Sequence, residues 1–310
     1  MIFYVNLIFL LYLMTNNNNI YDHKLNDILE IYKGDYFSKP KRSRAKQVVV
    51  FDLDETLGSF ADLEILWKLI NEYTQSHTVS FNELLDIYPE FIRYGIMSIL
   101  EYLKHKKNSG ECYKLYLYTN NRGGKEWARK IISYFNSKIS KRNKLFDQII
   151  YAFKINNVQI ELARTTNKKT IDDFIRCTLL PKTTTVCFID DTYFKDMQKE
   201  RIYYIKPKPY HHHLSSNEII NRFIFSKIGE LLLRTQSMKT AFKHNYIERA
   251  IKYDVYTKDK VEPTTILEHD IITSQKIMYH LKDYFLLTNK KSKTCKRKHP
   301  GYRFTQKRKT

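Results

Sequence analysis

The chain predicts an α/β fold, with a central, mostly parallel sheet covered by helices on both faces. Three observations lead there. Apolar runs rich in β-branched and aromatic residues occur in QVVVFDLDETLG from Gln47, KLYLYTNN from Lys114 and TTVCFIDDTYF from Thr184, and each stops abruptly at polar or acidic residues. Strands buried on both faces look like this. Segments with helical spacing separate the runs, as expected of parallel strands joined by crossover helices. The polar clusters fall at the ends of all three runs, where such sheets bind their ligands.

Taken in order, MIFYVNLIFLLYLM is apolar for about 13 residues, short of the ~20 that span a bilayer. It lacks the basic leader and cleavage site of a secretory signal. Met14 is the more economical start, and a weak membrane anchor is the alternative. Residues 16–44 read as an amphipathic helical lead-in followed by the basic loop SKPKRSRAK. DLEILWKLINEYTQ and FNELLDIYPEFIRYGIMSILEYLKHKKN carry helical spacing after the first strand, and GGKEWARKIISYFNSKI after the second. LFDQIIYAFKINNVQIELART reads as a short strand and hairpin, and KKTIDDFIRCTLL as the helix before the third apolar strand. RIYYIKPKPY reads as an edge strand, since its prolines would interrupt a central one. From Asn217 the pattern is helical (NEIINRFIFSKIGELLLRT, SQKIMYHLKDYFLLT). The expected division is a lead-in at 1–44, an α/β domain at 45–215, a helical extension at 216–289 and a tail at 290–310 that is disordered when free.

The 310 residues carry a net charge of +20, and between Lys290 and Thr310 lie ten Lys or Arg and no acid. That balance favours a polyanionic partner such as phosphoprotein or nucleic acid; a solubilising tail is the plainer alternative. Four cysteines without C-x-x-C spacing argue against a disulfide scaffold and fit a reducing compartment, cytoplasm or nucleus. Abundant Lys, Asn, Ile and Tyr read as the codon bias of an AT-rich genome, such as that of a large DNA virus, which would add a viral factory or virion as the location.

Asp52 and Asp54 stand two apart at the end of the first strand, where extended backbone projects both to one side. Two carboxylates that close repel each other, and a divalent cation relieves the repulsion. Mg²⁺ suits such oxygen ligands. Asp190 and Asp191, ending the third strand, could supply further oxygens. Thr119, Asn120 and Asn121 precede a Gly123-Gly124 turn into a helix and offer a hydroxyl and amides to a phosphate. Lys168 and Lys169 open the next helix, where a cation could neutralise a transferring phosphoryl group. No G-x-x-x-x-G-K-[ST] is present, so a P-loop kinase is unsupported. A two-component receiver would place its acid pair first, whereas here it comes last. His211 to His213 have no second cluster and read as a solvated loop.

These motifs resemble those of the haloacid-dehalogenase (HAD) superfamily. VVVFDLDETLG is similar to its motif I, LYLYTNN to motif II, a Lys near 169 to motif III and VCFIDD to motif IV, covering about Gln47 to Tyr210. Within it, DLDET and EFIRYGIMSILEYL look most like the FCP/SCP-like (NLI-interacting-factor-like) phosphatases of the RNA polymerase II C-terminal repeat. Tyr94 replaces the proline of their R-P-G helix, motif IV has Asp-Asp for Asp-Asn, and motif II has Thr-Asn-Asn for a Thr-Ala-Ser-like run.

The resemblance implies a Rossmann-like HAD fold with a minimal cap and an open site suited to a bulky phosphorylated macromolecule, a phosphoprotein before nucleic-acid ends. It implies a Mg²⁺-dependent phosphatase with Asp52 as nucleophile and Asp54 as acid and then base. The metal would be held by Asp52, the Asp54 main-chain carbonyl and Asp191, with Asp190 a ligand or close partner. Thr119, the Asn120 amide and Lys169 (or Lys168) would hold the phosphoryl oxygens, with Thr56 orienting the motif I loop beside them. A catalytically idle HAD-fold module docking on nucleic acid is the rival reading.

Overall fold

A computed structural model describes residues 28–38, 45–74, 79–140, 144–256 and 263–289. The apolar amino terminus, most of the basic loop and the tail with Cys295 lie outside the described residues. In chain order the strands are β1 (Leu29–Lys33), β2 (Gln47–Phe51), β3 (Lys114–Tyr118), β4 (Gln148–Ile150), β5 (Lys154–Ile155), β6 (Val158–Gln159), β7 (Thr185–Ile189) and β8 (Ile202–Pro207). The α-helices are α1 (Ala61–Tyr73), α2 (Phe81–Asp86), α3 (Ile96–Asn108), α4 (Gly124–Ile139), α5 (Ile171–Thr178), α6 (Ser216–Ile224), α7 (Lys227–Leu232), α8 (Gln236–Lys252) and α9 (Pro263–Asn289).

The main sheet has the order β1-β8-β7-β2-β3-β4 and is parallel except where β1 runs against β8. The chain is therefore α/β with a mostly parallel six-stranded sheet. In β2, Val49 and Phe51 join the larger core with residues of α1 to α4, while Val48 and Val50 face Tyr116, Phe174, Phe188 and Tyr204 on the other side. A strand apolar at four consecutive positions, Val48 to Phe51, has no polar face to present to water, so it must lie inside the sheet with cover on both sides. β3 lies on one side of β2 and β7 on the other, so the chain reverses direction across the sheet at β2. Ligand crevices form at such switch points. The ladder runs on past the strand ends, where Asp52 N–H donates to Ile189 O (2.9 Å) and Thr119 N–H to Ile150 O (3.0 Å).

Three expectations are corrected. Leu29–Lys33, expected within the helical lead-in, is strand β1. It pairs with all of β8 but Ile202, so RIYYIKPKPY is not at the edge. Pro207 is tolerated because it is the last residue of β8, opposite Leu29 at the end of the register. The long helical stretch after Phe81 divides into α2 and α3 around a 3₁₀ turn at Pro89–Phe91, and α3 starts only after Gly95, whose φ of +72° suits glycine.

Helices α6 to α9 belong to the same apolar core as α1 to α4. Phe223, Phe242, Tyr246, Tyr284 and Phe285 are all buried in that cluster. The Tyr284 hydroxyl donates to Thr185 O (2.9 Å), anchoring α9 to β7. His212 is likewise no solvated loop residue. Its Nε2 lies 3.1 Å from Asp62 Oδ2, its ring packs on Phe91, and Tyr246 OH donates to the other Asp62 oxygen at 2.9 Å. Cys112, Cys177 and Cys187 are unpaired, and no helix among the described residues is long and apolar enough to cross a membrane.

Candidate active site

At the carboxyl ends of β2, β3 and β7 a cavity of about 220 Å³ is lined by Asp52, Asp54, Glu55, Thr119, Asn120, Asn121, Lys169, Asp190, Asp191, Thr192 and Phe194. Most residues singled out in the three strand-end motifs thus meet in one place. One carboxylate oxygen each from Asp52, Asp190 and Asp191 lie within 4.8 Å of one another.

Lys169 settles which of the two lysines faces the site. Its Nζ donates to Asp52 Oδ1 (2.5 Å) and Asp190 Oδ2 (2.6 Å) and is 2% exposed, whereas Lys168 is exposed. Thr170, directly after Lys169, caps α5 by accepting from Asp173 N–H, so the helix starts where the lysine turns inward. Burial raises the Asp52 and Asp190 carboxyls, against the pull of Lys169. For Lys169, burial acts downward, but Asp190 and Asp52 outweigh it and the ammonium holds its proton more tightly than usual. One lysine facing Asp52, Asp54, Glu55, Asp190 and Asp191 leaves an excess of acid. A divalent cation among the three clustered carboxylates would offset it, and hard oxygen donors of this kind fit Mg²⁺ or a similar ion.

The remaining motif I residues divide the work. Asp54 lines the same cavity but is not one of the three clustered carboxylates, and its Oδ2 accepts from Asn121 Nδ2 at 2.8 Å. Burial, then the Asp52 charge, pushes its carboxyl up to about 8. Thr56 is buried and does not line the cavity. Its hydroxyl donates to Asp191 Oδ1 (2.9 Å) and accepts from Asp191 N–H (3.0 Å). That bonding ties the motif I loop to Asp191, and Thr56 is not among the residues lining the cavity. Glu55 has a φ of +53°, a conformation costing about 1 kcal/mol for a side-chain-bearing residue. Its carbonyl is held by Tyr210 N–H (2.9 Å) and by Arg93 Nη2. Gly58 closes the loop, where a Cβ would meet Phe91 O at 2.3 Å.

Two residues under the site, Arg93 and Arg164, were given no site role by motif reading. Arg93 is buried and donates to the carbonyls of Thr56 (2.7 Å), Glu55 and Lys208 (2.8 Å), locking the motif I loop from beneath. Arg164, 1% exposed, donates to Thr119 O (3.2 Å), Tyr151 O (2.8 Å), Asn167 O (3.1 Å) and Lys168 O (3.3 Å), and its guanidinium lies over the Tyr118 ring. One side chain so ties the end of β3 to the loop that delivers Lys169. Asn121, expected to offer an amide to a phosphate, instead has its side-chain amide on Asp54. Spacing gives neither arginine a role, although Arg93 lies in the quoted EFIRYGIMSILEYL, because both act through carbonyls that the sequence does not display.

Comparison of the chain with protein-family models, with curated proteins and with solved structures finds no match.

Proposed function

We propose that the chain is a Mg²⁺-dependent phosphomonoester hydrolase working through an aspartyl-phosphate, with a phosphoprotein as the favoured substrate. The observation that carries the reading is the meeting of Asp52, Asp54, Thr119, Lys169, Asp190 and Asp191 in one cavity at the strand ends. Its volume is below the roughly 300–1,000 Å³ of sites that enclose a small ligand. It would receive a phosphoryl group and leave the rest of a large substrate outside.

In this reading a carboxylate oxygen of Asp52 attacks phosphorus, and the bond from phosphorus to the leaving oxygen breaks. The proton on Asp54 passes to that oxygen. A water then attacks the acyl-phosphate and gives its proton to Asp54; the bond between phosphorus and Asp52 breaks, and inorganic phosphate departs. Thr119, the Asn120 amide and Lys169 hold the phosphoryl oxygens while charge builds on them. Asp52, Asp190 and Asp191 would hold the cation, which when bound eases the approach of an anionic nucleophile to an anionic phosphate.

The test is hydrolysis of an aryl phosphate with Mg²⁺ and its loss in Asp52→Asn, followed by a panel of phosphopeptides and of 3′- and 5′-phosphorylated oligonucleotides. Turnover unchanged in Asp52→Asn would refute the mechanism, and preference for the oligonucleotides would move the substrate to nucleic-acid ends.

A further inference from the structure

Asn121 occupies a position where its side chain has one available orientation. Its Oδ1 accepts from Gly123 N–H at 2.7 Å, and its own N–H donates to Thr119 Oγ1 at 2.9 Å. With the oxygen engaged there, the amide's nitrogen must face Asp54, and it donates to Oδ2 at 2.8 Å. Rotating the amide by half a turn would oppose two N–H groups at Gly123 and two oxygens at Asp54. The Asn121 side chain itself closes this turn through its bond to Gly123 N–H. The turn and the amide are therefore fixed together.

We infer that Asn121 is a positioning residue for proton delivery: by keeping Oδ2 of Asp54 as an acceptor, it directs the transferable proton to Oδ1. A carbonyl-type carboxyl oxygen accepts more strongly than a hydroxyl oxygen, so the amide donor on Oδ2 disfavours a proton there. The favoured place is the other oxygen, and the bond to Asn121 holds the carboxyl group in one orientation while it donates. The inference rests on the proposed role of Asp54 as general acid.

The experiment compares kcat/KM of the full-length wild type, Asn121→Ala and Asn121→Asp on p-nitrophenyl phosphate and on an alkyl phosphate, with Mg²⁺ present. The aryl leaving group departs without much help, whereas the alkyl one needs the proton. General acid catalysis contributes about 10²–10⁴-fold, so both variants should lose about tenfold or more on the alkyl ester beyond any loss on the aryl ester. Asn121→Asp retains the acceptor for Gly123 N–H but presents an oxygen to Asp54. A residue needed only for the turn would therefore tolerate Asp, and Asn121→Asp with a wild-type ratio of the two substrates would overturn the inference. Equal losses on both substrates in Asn121→Ala would do the same. The ratio is taken on one preparation, so it does not depend on the folded fraction. A wild type inactive on both esters is a different result, since it refutes the phosphatase reading on which the inference stands.

Discussion

Lys169 Nζ lies 2.6 Å from Oδ2 of Asp190, joining the start of α5 to the end of β7 through an ion pair in which neither side chain is more than 2% exposed. The same nitrogen reaches Asp52 on β2, so one cation sets the spacing of two strand ends. Such a pair is costly to break from one side, because the surviving charge is left in a poor solvent for it. The cluster as a whole still holds more acid than base, and the predictions about metal and pH follow from that imbalance.

Divalent cation should stabilise the fold. Mg²⁺ at about 100 times its Kd should add about 2.7 kcal/mol and raise Tm, since the three clustered carboxylates exist only in the folded state. Asp191→Asn should abolish most of that increment. Differential scanning fluorimetry with and without Mg²⁺ measures it, and an equal Tm rise in the variant would remove Asp191 from the metal site.

Stability of the metal-free protein should depend on Asp54. Its folded carboxyl titrates at about 8 against 3.8 for the ordinary group. A raised folded value means that the contribution is whole below the unfolded value and is lost as pH climbs through the folded one. In EDTA, Asp54→Asn should therefore gain on the wild type between pH 5 and 8, by at most about 1.4 kcal/mol per unit. Urea unfolding at several pH values would show it; a pH-independent difference would contradict the buried, protonated carboxyl.

Arg164→Met should be severe although no acid among the described residues forms an ion pair with it. The carbonyls of Thr119, Tyr151, Asn167 and Lys168 would lose their donor together, at a cost of about 3 kcal/mol or more. Arg164→Lys should recover only part of this, because an ammonium lacks the planar fork that serves four acceptors. Denaturant midpoints decide it, and a loss below about 1 kcal/mol would show the clamp to be dispensable.

Helix α9 should be integral to the α/β unit. Tyr284→Ala should cost about 3–5 kcal/mol, and Tyr284→Phe about 1–3, because its hydroxyl donates towards Val48 O (3.2 Å) and Thr185 O (2.9 Å). Unfolding should follow a single transition by fluorescence and circular dichroism. A separate early transition for α9 would make it an appendage.

The basic tail should act on polyanions alone. Deleting residues 290–310 should flatten the salt dependence of oligonucleotide binding and spare turnover of a small aryl phosphate; each lost phosphate contact lowers the slope by about 0.7–0.9. An unchanged slope would free the tail of that role.

Much of the fold was legible from the chain alone. Buried parallel strands must be apolar along their whole length, and that pattern belongs to local sequence, so β2, β3 and β7 could be located without coordinates. Their terminal residues Asp52, Asp54, Thr119, Asp190 and Asp191 followed directly. The placement of β1 could not be read, because an exposed-faced edge strand of five residues carries little periodic signal and is defined by its pairing with β8. Nor could the choice of Lys169 over Lys168, which depends on where α5 begins, or the bonding of Thr56 to Asp191. Arg93, Arg164 and Asn121 work through backbone carbonyls and one carboxylate oxygen brought near by distant segments, and such contacts are properties of packing. Sequence determined which residues stand at the strand ends; tertiary structure decided what each of them touches, because hydrogen-bond partners separated by tens of residues are chosen only when the sheet assembles.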